Sequence, residues 1–166
     1  MMRGNERGFT LPELIVTTVV LVVLAGLSTL VLAPKVQINE RLDAERRMGV
    51  AMLIQGMNRY ITDSGELPMY VPDKETNIGT SSDEYDACLA TSEYLPRVPL
   101  DPKIGVAKDK DSNTVETDVI DCDDIETAYS AGYTIQKKDG RIMIGAGLSD
   151  GSAFTLASAE APAKSN

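Results

Sequence analysis

A run of twenty uncharged and mostly apolar residues, 14–33, constrains the fold of this chain more than any other feature. A helix of that length crosses the roughly 30 Å of hydrocarbon in a bilayer, because each residue adds about 1.5 Å. A single carboxylate, Glu13, stands at the start of the run. A charge inside a bilayer costs roughly 3 kcal/mol on insertion scales. The pattern therefore predicts a membrane helix and a cation that neutralises Glu13.

The residues around that carboxylate form a specific motif. Residues 8–11, Gly-Phe-Thr-Leu, are followed by Glu13 and then by the apolar run. This arrangement resembles the class III signal of type IV pilins and of the related secretion pseudopilins. Pro12 stands where that family mostly has an aliphatic residue. Proline is tolerated in the first turn of a helix, since the N–H that it lacks has no intrahelical partner there.

The resemblance implies processing and assembly at particular residues. A prepilin peptidase would remove the leader, residues 1–8, by cutting between Gly8 and Phe9, and Phe9 would then be N-methylated. The new amine of Phe9 on one subunit would meet Glu13 of a neighbouring subunit during filament assembly. Phe9 and Glu13 are therefore the expected assembly residues.

The apolar run also fits two rival interpretations. It could be a secretory signal peptide cut after Ala33, or an ordinary uncleaved anchor. Its length beyond the usual core of roughly 7 to 15 residues, Glu13 at its start and Pro34 directly after the cut all disfavour the secretory signal. Arg3 and Arg7 precede the run, which predicts a single-pass orientation with the N-terminus inside and the C-terminal bulk outside.

The overall composition limits the possible functions. A net charge of −9 argues against sequence-independent binding of nucleic acid, because phosphate contacts need clustered Lys and Arg. The 166-residue chain has no histidine, which removes the commonest general base and a common zinc ligand. It also lacks a Walker loop, a CxxC pair and a dinucleotide fingerprint. We therefore expect a structural protein, with no enzymatic activity and no cofactor.

Beyond the apolar run the pattern becomes amphipathic. One long helix is expected, with a transmembrane and assembly half at residues 9–33 and an amphipathic half at residues 34–63. Gly26 and Pro34 predict a bend, because Pro34 cannot donate a hydrogen bond within the helix. The predicted inward-facing residues recur at three- and four-residue steps: Ile38, Leu42, Met48, Met52, Leu53, Met57 and Tyr60. They could pack under the chain's own head domain or against a neighbouring subunit.

The region after the helix, residues 64–130, is acidic and expected to be dominated by loops. Residues 63–130 include 17 acidic and 5 basic side chains, a balance of −12, whereas residues 35–59 have a balance of +2. These complementary charges could help to set the register between subunits, with Arg46 and Arg47 as the test positions. The alternative is a solvated acidic surface.

One short helix is expected within this acidic region. It would run from Ser81 or Ser82 to about Tyr94, with Ser82 as its cap. The next segment, residues 94–102, contains three prolines that enforce an extended path. It resembles a connector found in many pilins and pseudopilins.

Cys88 and Cys122 are the two cysteines of the chain. Pairing is expected in an exported domain and resembles the stapled loop common in pilins, while two buried free thiols are the alternative. Closing a loop of about 35 residues would contribute roughly 3 to 4 kcal/mol in the chain-entropy model.

Two acidic clusters, residues 109–113 and 118–124, raise the question of calcium, which some pseudopilins bind in this region. An EF-hand needs glycine at its sixth position and glutamate at its twelfth. This chain has Thr114 and Ile120 there. We therefore expect solvated loops and no metal site.

The last third of the chain predicts a small antiparallel meander at residues 131–158. Two alternating segments, 133–136 and 141–144, flank an Asp-Gly turn, and residues 153–157 add a third strand. The tail, residues 159–166, is expected to be flexible. The fold class is therefore α+β and pilin-like, with the long N-terminal helix packed on the meander. The apolar face that should cover the helix consists of Tyr133, Ile135, Ile142 and Ile144.

The function implied by the resemblance is that of a structural subunit of a type IV pilus. The chain would form a homo-oligomeric filament through its N-terminal helix. Its partners would be the prepilin peptidase, the inner-membrane assembly machinery and membrane lipid before assembly. It would lie in the membrane first and at the cell surface, in an extracellular filament, afterwards. The alternatives are a pseudopilin of a type II secretion system and a membrane-tethered extracellular binding module that does not polymerise.

Overall fold

The computed structural model describes residues 10–91, 93–123 and 127–161, without the side chains of residues 27–36, 89 and 90. It divides into two compact units, Met1–Asn39 and Glu40–Asn166. The second unit contains the folded head. The helices and strands of the described residues are α1 (Leu11–Ser64), β1 (Thr76–Gly79), α2 (Ala87–Thr91), β2 (Arg97–Pro99), β3 (Val106–Lys108), β4 (Thr114–Val115), β5 (Val119–Asp121), β6 (Ala128–Lys138), β7 (Arg141–Gly147) and β8 (Ala153–Ala157).

Helix α1 ends where the sequence predicts. The Ser64 hydroxyl donates to the Tyr60 carbonyl at 2.7 Å, and the Gly65 N–H donates to the Ile61 carbonyl at 2.9 Å. Gly65 has a φ of 70°, the left-handed conformation that commonly closes a helix. The helix is continuous from Leu11 to Ser64. The bend at Gly26 and Pro34 stays a prediction, and the Pro34 side chain lies outside the described residues.

The expected antiparallel hairpin is confirmed. Strands β6 and β7 pair from Thr134 opposite Gly145 to Lys138 opposite Arg141. Asp139 and Gly140 have φ values of 49° and 72°, as a two-residue type I′ turn requires. Strand β8 then pairs with β7, which completes the predicted meander.

The sheet is larger than the meander. Its strand order is β4-β3-β6-β7-β8, and β1 also pairs with β6. Strand β6 begins at Ala128, three residues before the expected boundary, and the acidic region supplies β1, β3 and β4. Strands β1 and β3 are held by antiparallel pairing with distant β6, and the two-residue β4 pairs with β3, so local periodicity does not reveal these strands. A separate two-stranded ladder joins β2 to β5, so part of the three-proline connector is extended as predicted.

Helix α2 is shorter than expected. It spans five residues, and its N-terminal cap is Asp86, whose Oδ1 accepts the Cys88 N–H at 3.0 Å. Ser81 instead forms a turn with Glu84, whose Oε2 accepts the Ser81 N–H at 3.2 Å. The prediction of a helix from Ser82 was therefore wrong, because this turn directs the chain toward the bridge between Ile78 and Tyr85.

The core lies between one face of α1 and the sheet. All four sheet residues predicted to cover the helix are buried, and the helix contributes five buried apolar residues. The inward face was only partly predicted: Met48 and Met52 are 70% and 45% exposed, and Ile38 is also exposed. The prediction was wrong at these three positions because glycine was not counted among the inward-facing residues. Gly49 and Gly56 belong to the buried face. The buried helix residues are Val50, Leu53, Ile54, Met57 and Ile61.

The beginning of the expected flexible tail is bonded to the head. The Ala159 N–H donates to Asn58 Oδ1 at 2.7 Å, and Glu160 forms an ion pair with Arg141 at 3.3 Å. Buried Ser158 precedes these contacts and exchanges hydrogen bonds with the Ile142 backbone. The remaining tail residues, 162–166, lie outside the described residues.

Candidate assembly site

The start of α1 is built by the residues that the sequence singled out. The Thr10 carbonyl accepts the N–H groups of Glu13 and Leu14 at 3.0 and 3.1 Å. Pro12 lies in the first turn, where no intrahelical acceptor needs its missing N–H. Glu13 is exposed in the same turn, where the positive end of the helix dipole favours a carboxylate. Gly8 and Phe9 lie outside the described residues.

Apolar side chains cover the helix beyond this turn. Leu11 is 74% exposed and Leu21 is 66% exposed. The exposed large apolar residues include Leu14, Ile15, Val16 and every position from Val19 to Leu24. Consecutive exposed positions point to all sides of a helix, since each residue turns by about 100°. A surface of this kind requires an apolar environment or packing against other helices.

The polar side chains within this stretch are satisfied by the helix itself. The Thr17 hydroxyl donates to the carbonyls of Glu13 and Leu14, both at 3.0 Å, and the Thr18 hydroxyl donates to Leu14 at 2.7 Å. Both threonines can therefore enter apolar surroundings without leaving an unpaired hydroxyl.

A charged cluster with a buried centre, Arg46 and Asp101, joins α1 to the rest of the head. It consists of Arg46, Asp43, Asp101 and Ser149, and we call it the Arg46 cluster. Arg46 Nε contacts Asp101 Oδ2 at 2.7 Å, while Nη1 contacts Asp43 Oδ1 at 3.1 Å. The Arg46 and Asp101 side chains are only 6% and 1% exposed. The hydrogen bond with Asp101 raises the pKa of the Arg46 guanidinium above its ordinary value, so the arginine stays charged.

The backbone around this cluster is tightly packed. A Cβ on Gly49 would collide with the Tyr133 hydroxyl, and a Cβ on Gly132 would lie 2.7 Å from Asp101 Cβ. Gly132 also has a φ of 78°, which a side chain would strain. Asp101 Oδ1 accepts the N–H groups of Lys103 and Ile104 at 2.9 and 3.1 Å, which fixes its carboxylate. The cluster therefore holds α1 at one position on the sheet.

This geometry changes the expected role of the two arginines. Arg46 is used within its own chain, and Arg47 stacks over the Phe154 ring at 4.8 Å from its centroid. Arg46 is thus not available as a test position for pairing between subunits. The positive charge of Arg46 pairs inside the head with Asp101, which belongs to the acidic region.

The family comparison bears on the first turn and the apolar helix. Residues 3–29 match the family model described as "Prokaryotic N-terminal methylation motif". The chain carries a class III prepilin signal. Comparison with curated proteins and with solved structures found no match.

The prepilin signal confirms the predicted resemblance and has general consequences. It is the signal of type IV pilin-like and pseudopilin-like proteins, and it implies a membrane-anchored precursor, processing by a prepilin peptidase and handling by assembly machinery. The membrane span expected at residues 14–33 is not confirmed: across residues 10–91, 93–123 and 127–161, no helix is long and apolar enough to cross a membrane.

The predicted disulfide is present in the head. Cys88 and Cys122 are bonded with a sequence separation of 34. The bond links α2 to the residue after β5, and Cys122 N–H donates to the Pro96 carbonyl at 2.9 Å. It therefore closes a loop of the acidic region from Cys88 to Cys122.

Removing this bond is expected to destabilise the head. The Cys88→Ser/Cys122→Ser variant should lose roughly 3 to 4 kcal/mol of unfolding free energy, because the unfolded chain regains the entropy of a loop of that length. Urea unfolding of the oxidised protein, the reduced protein and the double variant measures the loss. Alkylation followed by mass determination checks the pairing, and two thiols alkylated without reductant would contradict it.

In the first acidic loop, the Asp109 carboxylate accepts hydrogen bonds from N–H groups of the same loop. Asp109 Oδ1 accepts the N–H groups of Asp111 and Asn113 at 2.9 and 2.8 Å. The backbone and side-chain hydrogen bonds from Asn113 hold the pKa of Asp109 below its usual range. Within the part of the chain that the structure describes, no three His, Cys, Asp or Glu residues are placed to hold a metal ion. Asp124 lies outside that part.

The Arg46 cluster predicts acid sensitivity of the head. Hydrogen bonds from the Ser149 hydroxyl and backbone, followed by Arg46, hold the pKa of Asp43 below its ordinary value. Its contribution to stability is therefore present above the unfolded-state pKa of about 3.9 and is lost as the pH falls through the lower folded-state pKa. We expect Tm to fall below about pH 4, and less steeply in Asp43→Asn. Ser149→Ala should flatten the same curve, whereas a slope unchanged in both variants would contradict the assignment.

Proposed function

We propose that this chain is the structural subunit of a type IV pilus, cut by the prepilin peptidase and polymerised through its N-terminal helix. The observation that supports this most is an apolar surface on every side of the helix, with one carboxylate in its first turn. The matched methylation motif lies across that same turn.

The apolar surface of the helix is unfavourable in water, by roughly 1.5 to 3 kcal/mol for each leucine or valine that could be buried, so the helix needs either lipid or neighbouring helices around it. The stretch described above supplies many such residues within one helix, and neighbouring helices in a filament core would bury them together. Before assembly, the same helix would be held in membrane lipid with its N-terminus inside.

The charge of Glu13 specifies where the helices meet. A lone carboxylate in an apolar assembly is costly unless a cation pairs with it. Cleavage between Gly8 and Phe9 would create an α-amino group one helical turn before Glu13. Pairing between that amine and Glu13 of the next subunit would stagger the helices, so the ion pair would favour one register.

A pseudopilin of a type II secretion system is the alternative, because it would share the signal and the apolar helix. The disulfide that closes a loop within the acidic region favours the pilus subunit, since it matches the stapled loop expected in pilins.

Electron microscopy of filaments sheared from the cell surface tests the proposal. We expect long filaments with this chain as their main component, and they should disappear when its gene is deleted. Filaments that persist unchanged in the deletion strain would contradict the proposal. Short assemblies that depend on the secretion system would favour the pseudopilin instead.

A further inference from the structure

Strand β8 forms an edge of the sheet, and its side away from β7 has no partner strand among the described residues. Its pairing with β7 is regular from Ala153 opposite Gly147 to Ala157 opposite Met143. The strand contains no charged residue and no proline. Charges, prolines and bulges are the features with which soluble proteins prevent pairing at an exposed edge. This edge is therefore open to a further strand.

Alternate residues of β8 direct their backbone groups to the open side. The Ser158 N–H donates to the Ile142 carbonyl at 2.8 Å, and the Leu148 N–H donates to the Ser152 carbonyl at 2.7 Å. These two bonds place the even-numbered residues of β8 in hydrogen-bonded pairs with β7, because such pairs alternate along an antiparallel ladder. The N–H and carbonyl groups on the open side belong to three exposed residues, which we call the outward residues: Ala153, Thr155 and Ala157. Within the described residues, these groups have no hydrogen-bond partner.

A cation lies beside this edge, on the face of the sheet that α1 covers. The Arg47 guanidinium is 4.8 Å from the centroid of the Phe154 ring. Arg47 is exposed and forms no ion pair within the described residues. Its charge contributes little to the lowered pKa of Asp150, which results mainly from hydrogen bonds with the Ser152 hydroxyl and N–H at 2.6 and 2.9 Å. A guanidinium stacked on a ring keeps its N–H donors at its rim, where a carboxylate can bind.

We propose that the open edge of β8 binds an extended, antiparallel segment of a partner protein, which places a carboxylate beside Arg47. The backbone of that segment would pair with the outward residues, as in other cases of strand addition. Side chains directly opposite one another lie on the same face of a sheet. The acidic residue would therefore stand opposite Phe154, and an apolar residue would stand opposite Leu156. Both of these β8 side chains are half-buried, and the added strand would cover them further.

The charge of Arg47 favours such a partner over a second copy of this chain. Strand β8 has no acidic residue, so pairing between two β8 strands would bring no carboxylate to Arg47. It would also join two chains that each have a net charge of −9, which repel one another. The edge lies in the head, and binding there does not depend on assembly through α1.

The test uses the full-length ¹⁵N-labelled protein in detergent micelles and the peptide acetyl-Thr-Val-Thr-Glu-Thr-amide. In the antiparallel orientation its Glu stands opposite Phe154 and its Val opposite Leu156. At a peptide concentration that fills nine-tenths of the sites, we expect amide hydrogen exchange of the outward residues to slow by about tenfold. The amides of Phe154 and Leu156 already face β7, so they are controls within the same strand.

Paired changes test the charge of Arg47. Replacing Glu by Gln in the peptide should weaken binding by about threefold, as expected for an exposed ion pair. Arg47→Gln should weaken binding of the Glu peptide by a similar factor and leave binding of the Gln peptide unchanged. Arg41→Gln is the matched control, since Arg41 is an exposed arginine of the same helix that pairs with Glu45, and its affinity should equal that of the wild type.

Two modified peptides test the backbone pairing without altering the protein. N-methylation of the central Thr removes an N–H that faces Thr155 and should abolish binding. N-methylation of Glu removes an N–H that points away from β8, so this peptide should still bind.

Four outcomes would overturn the proposal. The outward amides could exchange at an unchanged rate up to about 10 mM peptide, a concentration that fills most of a millimolar site. The Glu and Gln peptides could bind equally, or the two N-methylated peptides could do so. Protection of the outward amides that rises with protein concentration in the absence of peptide would assign the edge to a second copy instead.

Discussion

Replacing Asp101 by alanine is expected to lower the free energy of unfolding of the head by about 3 to 5 kcal/mol, because the buried guanidinium of Arg46 would lose the carboxylate that contacts it most closely. Its guanidinium contacts both carboxylate oxygens of Asp101, at 2.7 and 3.4 Å, and water cannot replace them readily at a side chain only 6% exposed. Asp43 would keep one contact with Arg46, which places the loss within that range and not above it. Urea unfolding of the oxidised protein at pH 7 measures the loss.

Two controls separate this effect from a general loss of charge. Glu45→Ala removes the exposed pair with Arg41 on the same helix and should cost less than about 1 kcal/mol. The double variant Arg46→Met/Asp101→Leu removes both buried charges and should be more stable than Asp101→Ala alone. A cost below about 1 kcal/mol for Asp101→Ala would show that the Arg46 cluster does not hold the helix to the sheet.

Replacing Glu13 by glutamine is expected to abolish or strongly reduce filament assembly while the head stays folded. The change removes the negative charge but keeps the shape of the side chain, so a neighbouring amine loses its ionic partner. At about 1.4 kcal/mol for each factor of ten, loss of a desolvated ion pair predicts at least a tenfold fall in sheared filaments. Filament yield by microscopy and head Tm by circular dichroism measure the two parts of this expectation.

The matched control for this change is Glu40→Gln. Glu40 is exposed on the same helix and loses the same charge, but it lies far along α1 from the first turn. Its filament yield should equal that of the wild type. Normal filaments in Glu13→Gln, or equal losses in both variants, would contradict a specific role for the first-turn carboxylate.

The features that sequence predicted well are those with local signals. The Asp139-Gly140 turn and its flanking alternation have a local backbone cause, and the end of α1 at Ser64 follows from the left-handed conformation that Gly65 can adopt. The disulfide was predictable because the chain has two cysteines and the domain is expected outside the cell. Glu13 was conspicuous because a charge beside a long apolar run needs a partner.

The features that sequence could not predict depend on contacts between distant residues. Arg46 and Asp101 are 55 positions apart, and nothing local distinguishes Arg46 from exposed Arg47. Strand β3 has only three residues, so its pairing with distant β6 defines it. The buried Tyr85 hydroxyl, which has no hydrogen-bond partner among the described residues, likewise becomes apparent only when its surroundings are folded. Gly49 was a local signal that the sequence analysis did not use. A glycine within a helix face can permit close packing, as it does here against Tyr133.

The most direct measurement is the mass of the N-terminal peptide of this chain in filaments sheared from cells. Cleavage between Gly8 and Phe9 followed by methylation predicts a peptide that begins with N-methylated Phe9 and contains Glu13. An intact Met1 leader, or a start beyond Ala33, would contradict the proposal that processing creates the cation for Glu13.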